Sequence, residues 1–221
     1  MIDILVVDDQ SLIRNAVRDL VAQEPDLRLV GSAENGVEAV RLTRELRPHV
    51  VVMDVRMPVL DGIEATRMIT GDTGSTGARV LILTTFDDDP DYVVRAVRSG
   101  ASGFVGKGAE PEVLLEAIRT VHRGEGLLSP RATRHLLDRH AGTVDPDEIH
   151  PDLQGLTERE LDVLRLVAEG RTNQQIAEQL GITVLTVKTH LNRTMTKVDR
   201  HDRSQLVVLA YETGLVTPRY R

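Results

Sequence analysis

The 221-residue chain has no cysteine and no tryptophan, and only two phenylalanines and three tyrosines. Without cysteine there can be no disulfide, thiolate nucleophile or Cys-ligated zinc, and a reducing cytoplasm is the expected compartment. So few aromatics argue against a binder of single-stranded nucleic acid, which stacks bases on rings. No apolar run approaches the ~18 residues needed to span a bilayer. Met1-Ile2-Asp3 leads straight into an apolar run, so no signal peptide is expected. Lysine is almost missing: Lys107 is the only one in the first 187 residues, a stretch rich in arginine. A compact ammonium kept at a single place points to a site that a planar guanidinium would not fit.

What is present divides in two. Residues 1–150 carry 17 Lys+Arg against 25 Asp+Glu, whereas residues 151–221 carry 10 against 9. Within 186–203, Lys188, Arg193, Lys197, Arg200 and Arg203 face only Asp199 and Asp202. An acidic front and a locally basic back suggest two tasks, although a solvated helix face explains the basic stretch equally well on charge alone. A hydrophobic fraction of 41% suffices for the cores of one or two domains.

The first ~125 residues alternate strand and helix. Strands are predicted at 3–7, 28–33, 50–54, 80–84 and 102–106. Helices are predicted near 11–23, 36–46, 60–70, 90–99 and 110–123, with Ser11 capping the first and Gly100 following the fourth. Repeated βα units imply a parallel sheet with right-handed crossovers and helices on both faces. Residues 71–77 form a polar surface loop. Ser129-Pro130 opens a further short helix ending near His140, and residues 140–151 read as a linker. The last ~65 residues are helical. Thr157-Glu158-Arg159-Glu160 is a capping box, Thr172 with Gln175 opens a second helix, Gly181 makes a tight turn, and Thr183 opens a third helix to about 198. A fourth runs from about Ser204 to Thr213. Two short helices joined by a Gly-containing turn form a helix-turn-helix pattern.

The chemistry sits at strand ends. Ile4-Leu5-Val6-Val7 stops at Asp8-Asp9, Val50-Val51-Val52-Met53 at Asp54, Val80-Leu81-Ile82-Leu83 at Thr84, and Gly103-Phe104-Val105-Gly106 at Lys107. In an open α/β sheet, ligands bind beyond the carboxyl ends of the strands. Carboxylates gathered there repel one another unless a divalent cation lies among them and one of them is there to react. Other phosphate chemistries fit poorly. Gly100 is one residue too far from Gly106-Lys107 for a P-loop, and Gly108 stands where Ser or Thr is needed. An aspartyl-phosphate phosphatase would want a second acid at position 56, which is Arg. No Gly-x-Gly-x-x-Gly follows the first strand, and His49 and His122 have no partners at metal-ligand spacing. Asp61-Gly62 reads as a turn, and Asp87-Asp88-Asp89 as a solvated cap before Pro90.

Several separated motifs occur in a telling order: Val-Val-Asp-Asp, Val-Val-Met-Asp-Val-Arg-Met-Pro-Val-Leu-Asp-Gly, Leu-Thr-Thr-Phe, Gly-Ala-Ser-Gly-Phe-Val-Gly-Lys and Leu-Thr-Glu-Arg-Glu-Leu-Asp-Val-Leu. With them the chain resembles the two-component response regulators of the NarL/FixJ family over nearly its whole length, the linker excepted. The resemblance implies a (βα)5 doubly wound, flavodoxin/CheY-like receiver over 1–124, a linker with a short helix over 125–155, and a LuxR-type helix-turn-helix domain over 156–221. It implies that Asp54 accepts a phosphoryl group from a sensor histidine kinase. Asp9 would ligate Mg2+ directly and Asp8 through water, with Asp54 and the Arg56 backbone carbonyl completing the set. Lys107 would pair with the carboxylate and then the phosphoryl oxygens, Thr84 would donate its hydroxyl, and Phe104 would swing inward as part of a switch over 86–106. A core phenylalanine remains the alternative for Phe104. Such a protein catalyses its own phosphorylation and slow dephosphorylation but is not classed as an enzyme.

In the rear domain the third helix would enter promoter DNA. Lys and Arg suit phosphates and guanine edges, Asn suits adenine, and a Thr methyl suits thymine. The resemblance places Lys188, Thr189 and Asn192 at the bases, with His190 and Arg193 at phosphates. Thr186 and Thr172 are further phosphate candidates. The last helix resembles a dimerisation helix, with core packing as the competing role; a homodimer on double-stranded DNA and contact with RNA polymerase would follow. Three departures from the family pattern stand out: Val184 where an acid is usual, Thr194 for a large apolar residue, and Asp199-Arg200 for a Gly-apolar pair. Two other functions stay open on sequence: a receiver that binds a ligand instead of taking phosphate, and a phosphotransfer enzyme whose tail contacts proteins. A phosphate-transfer assay and salt-dependent DNA binding by residues 151–221 discriminate them.

Overall fold

Ile4–Val7, Val50–Met53 and Val80–Leu83 are runs of aliphatic side chains with no polar alternation, the pattern of strands covered on both faces, whereas the predicted strands at 28–33 and 102–106 carry Arg28, Ser32 and Ser102. The computed structural model, which describes residues 1–71, 77–84, 95–125 and 150–216, shows that arrangement. The chain divides into two compact units, residues 1–128 and 129–221. In the first, β1 (Ile2–Val7), β2 (Leu27–Ala33), β3 (Val50–Asp54), β4 (Arg79–Thr84) and β5 (Ala101–Gly106) form one sheet in the order β2-β1-β3-β4-β5. All neighbours run parallel. Helices α1 (Ser11–Val21), α2 (Gly36–Leu46), α3 (Gly62–Thr70) and α4 (Pro111–His122) form the crossovers among the described residues, with a helical end at 95–98 before β5.

Side chains alternate between two cores. Ile4, Val6, Val50, Val52, Leu81 and Leu83 join Val17 and Val21 of α1 and Leu115, Ile118 and Val121 of α4. Leu5, Val7, Val51, Met53, Val80 and Ile82 join Ala39 and Val40 of α2 and Ile63, Ala65 and Ile69 of α3. Removing one fully buried aliphatic side chain such as Ile118 would cost about 2–5 kcal/mol. The strand order reverses direction of growth at β1 and β3, which opens a crevice beyond their carboxyl ends.

The first helix starts at 11 as expected but with a different cap, and the helix expected from 60 starts at Gly62. Ser11 does not cap α1: Gln10 holds the N-cap position without a side-chain bond, and Ser11 is the first helical residue. The cause lies in the preceding loop, where Asp8 Oδ1 accepts from the Gln10 N–H at 2.9 Å and fixes the chain one residue early. Gly100 does take the left-handed conformation expected after a helix, with φ 97°.

The second unit holds a 3-10 turn (Pro151–Leu153) and four helices, α5 (Glu158–Ala168), α6 (Asn173–Leu180), α7 (Val184–Lys197) and α8 (Arg203–Glu212). Both expected capping boxes form, Thr157 with Glu160 and Thr172 with Gln175. Gly181 closes α6 in the left-handed conformation, and Thr183 caps α7. The last helix begins earlier than expected, capped by Asp202, whose carboxylate accepts from the Gln205 N–H at 3.0 Å. Leu153, assigned to the connecting segment from sequence, is buried. Leu206 to Tyr211 are buried without a break, and the Tyr211 hydroxyl donates to the Ala168 carbonyl at 2.9 Å, which supports a core role for this helix. Among the described residues no helix is long and apolar enough to cross a membrane. The expected loop at 72–76, the start of the helix at 90–99, the Asp87–Asp89 run, the switch residues 86–94, and the helix and linker between Ser129 and residue 149 lie outside the described residues.

Candidate functional site

Four parallel strands bring distant residues to one end of the sheet. Register pairs Asp54 with Leu83 and Thr84 with Gly106, so the ends of β3, β4 and β5 lie side by side. Asp8 follows β1 directly, and β1 pairs with β3 through Val7 and Met53. Lys107 follows β5, and its backbone N–H donates to the Thr84 carbonyl at 2.7 Å. Its ammonium lies 2.8 Å from Asp8 Oδ2 and 3.1 Å from Asp54 Oδ2. Asp54 Oδ1 accepts from the Val55 N–H at 2.8 Å. Asp8, Asp54 and Thr84 are buried, whereas Asp9 is exposed at the mouth.

Asp8, Asp9 and Asp54 each offer a ligand oxygen, all within 4.8 Å of one another. Asp8 Oδ2 is buried, and the Lys107 ammonium at 2.8 Å leaves it a further lone pair. An all-oxygen set with a spare buried lone pair fits a hard divalent cation that keeps several waters. Burial pushes the Asp54 carboxyl above its ordinary value; Lys107 opposes that shift and Asp8 adds to it. Burial works against the Lys107 ammonium too, but bonds to Asp8 and Asp54 outweigh it and hold the lysine well protonated.

Two further residues support the pocket. Arg14 on α1, with only 14% of its side chain exposed, donates to the backbone carbonyls of Asp8 (2.7 Å) and Asp9 (3.1 Å), and its other nitrogen meets Glu34 Oε1 at 2.5 Å. It ties the acid-bearing loop to the end of β2. At Gly62 an added Cβ would come 1.9 Å from the Asp54 carbonyl oxygen, and the Gly62 N–H donates to Val55 at 2.9 Å. Asp61 caps α3, in keeping with the turn expected there. Between them Val59 adopts φ 71°, a costly conformation for a β-branched residue. Arg56 is exposed in this same loop, two residues beyond Asp54. Phe104 is half-buried on β5 and packs at the margin of the second core.

In the helical unit, Lys188, Thr189, Asn192 and Arg193 are exposed along α7, while Val187 and Leu191 face inward. The Thr189 hydroxyl donates to the Leu185 carbonyl at 3.0 Å. His190 is half-buried and its Nδ1 is buried without a hydrogen-bond partner. Thr186 shares a 2.8 Å hydroxyl contact with Thr183, and the Thr172 hydroxyl accepts from Gln175. Lys197 pairs with the buried Glu160 at 2.7 Å, tying α7 to the start of α5. The departures at the end of α7 have visible consequences: Asp199 takes φ 50°, and the Thr194 hydroxyl is buried with no partner.

A doubly wound sheet with acids, a hydroxyl and an ammonium at its carboxyl edge, followed by a helix-turn-helix unit, defines a regulator with separate input and output parts. The model for the response regulator receiver domain matches residues 4–119, and that for bacterial regulatory proteins of the luxR family matches residues 154–210. The chain belongs to the two-component response regulators that join a receiver to a LuxR-type DNA-binding domain, and it is a transcription regulator rather than a conventional enzyme. It is 37% identical over 219 residues to the transcriptional regulatory protein LiaR of Bacillus subtilis, covering 98% of this chain and 100% of that one. It is 34% identical to the transcriptional regulatory protein DegU of Brevibacillus brevis, covering 99% and 96%. Among solved structures it resembles the response regulator ChrA of a heme-sensing two-component system, with TM-score 0.51, 30% identity, and 97% and 98% covered.

Proposed function

We propose that Asp54 is the phosphoacceptor, that a sensor histidine kinase is the donor, and that phosphorylation controls dimerisation and operator binding in the cytoplasm. The observation that carries this reading is the Lys107 ammonium held between Asp8 and Asp54 beside Thr84. Lys107 neutralises one carboxylate so that the Asp54 oxygen can approach an anionic phosphoryl group, and its protonation is favoured by the same acids. The Val55 N–H orients the attacking carboxylate. As the bond from phosphorus to the donor nitrogen breaks, Lys107 and the Thr84 hydroxyl are placed to take the new phosphoryl oxygens. Asp8, Asp9, Asp54 and the Arg56 carbonyl would hold Mg2+, which supplies charge neutralisation and in-line positioning when bound. Intrinsic phosphorylation by small phosphodonors and slow hydrolysis belong to the same site.

Phosphorylation adds about −1.5 to −2 charges and three strong acceptors. Bonds to Thr84 and Lys107 can together supply a few kcal/mol; about 5.5 kcal/mol reverses a 1:99 equilibrium. Phe104 and the segment ending at β5 would carry the change. In the rear unit Lys188, Thr189 and Asn192 would read bases, with Arg193, His190 and Thr186 on phosphates. A twofold dimer would want half-sites about one DNA turn apart, and RNA polymerase is the expected downstream partner. Because α8 is already buried in the single chain, dimerisation through it would require uncovering it. The test is Asp54→Asn with radiolabelled acetyl phosphate and Mg2+: labelling should fall at least about 100-fold, since transfer needs the carboxylate nucleophile. Labelling equal to wild type would place the acceptor elsewhere.

A further inference from the structure

Leu185 is the one large apolar side chain that residues 150–216 leave exposed, with 74% of its surface open. It is the second residue of α7, the leading turn of the second helix of the helix-turn-helix. In this motif the N-terminal residues of the second helix meet base edges in the major groove. Leu185 precedes Lys188, Thr189 and Asn192 by three, four and seven residues, so all four lie on one face. Helix propensity gives no reason for leucine here, because Lys, Arg and Glu serve a solvated helix as well. Nor does the local fold use the side chain, since the inward positions of α7 are taken by Val187, Leu191 and Thr194.

The chemistry of the groove narrows the occupant. Its floor shows donors and acceptors at every base pair, and a single apolar group, the C5-methyl of thymine. The Thr189 hydroxyl spends its proton on the Leu185 carbonyl, so what Thr189 offers a base is its methyl and an acceptor. Lys188 and Arg193 supply the positive charge that draws this face to a polyanion. We propose that Leu185 is a specificity-determining residue that reads a thymine methyl in the major groove. This rests on the reading of α7 as the DNA-reading helix.

The experiment selects operators from a random duplex library with the full chain, Mg2+ and acetyl phosphate, then replaces each thymine in turn by deoxyuridine. Wild type should lose about four-fold in affinity at one thymine per half-site, the factor expected for one buried methyl at about 0.8 kcal/mol. Leu185→Ala should bind the thymine and deoxyuridine forms alike, whereas Leu185→Met should keep the discrimination; equal thermal melts of the three proteins show that folding is unchanged. An enriched operator whose deoxyuridine forms affect wild type and Leu185→Ala equally overturns the inference alone. A wild-type chain that enriches no sequence overturns the DNA-reading role, and the inference with it.

Discussion

The two ends of this molecule build their sites in opposite ways. The acid pocket draws Asp8, Asp54, Thr84 and Lys107 from four strand ends spread over a hundred residues, and register holds them, buried and partnered. The exposed face of α7 draws Leu185, Lys188, Thr189 and Asn192 from two turns of one helix, open to water. A site assembled by a sheet gains exact spacing and low dielectric, which suits charge transfer at a fixed point. A site laid along one helix gains independence, because each side chain can change without moving the others, which suits a surface whose chemistry varies.

The pocket depends on its scaffold, most of all at Arg14. Arg14→Met should weaken Mg2+ binding about 10- to 100-fold in a calorimetric titration, the usual cost of removing a residue that orients ligands, while saturating Mg2+ restores phosphorylation. Unchanged affinity would mean that the pocket is as locally built as the helix face. On that face, Lys188→Ala should cut discrimination between operator and unrelated DNA about ten-fold, within the range of a single base contact, without altering the thermal melt. Coupled loss at Asn192 in a double variant would break the claim of independence. A smaller effect lies beneath the same helix. Thr194→Val should stabilise the helical unit by about 1 kcal/mol in urea unfolding, because it removes an unpaired buried hydroxyl of the same shape; destabilisation would reveal a hidden partner.

The smallest effect is at the far end of the sheet. Burial, with His49 (ring centroids 5.1 Å apart) and Arg79 nearby, holds the His122 imidazole below its ordinary value of 6.5. The unfolded chain therefore takes up this proton more readily, and the contribution is present above about pH 6.5 and lost as pH falls below it. Because solvent screens the partly open imidazole, His122→Gln should flatten the stability profile between pH 7 and 5.5 only slightly. An identical slope in both proteins would remove His122 as its source.

Much of this was legible because local pattern and tertiary demand agree. Strands covered on both faces leave unbroken aliphatic runs, and the functional groups stand where those runs stop. Thr157 and Thr172 announce their helices because each cap bonds within four residues. What stayed hidden depends on approach across the fold. Nothing near Arg14 in sequence announces Glu34, and no local pattern announces that the Asp54 carbonyl lies against Gly62. Val59 contradicts its own backbone preference, so no local rule would place it at φ 71°. The unbroken apolar run of α8 has no helical stripe, so periodicity could not choose between core and partner.

The scarcity of lysine has a practical consequence. The chain has only three, and they sit in the pocket (Lys107), on the exposed face of α7 (Lys188) and against Glu160 (Lys197). An amine-reactive reagent, which needs a neutral and accessible nitrogen, therefore meets three unlike lysines: Lys188 open to water, and Lys107 and Lys197 held in ion pairs with carboxylates. Labelling followed by mass spectrometry would then register the release of either ion pair as a gain in reactivity in the unaltered protein, with no dye, tag or substitution.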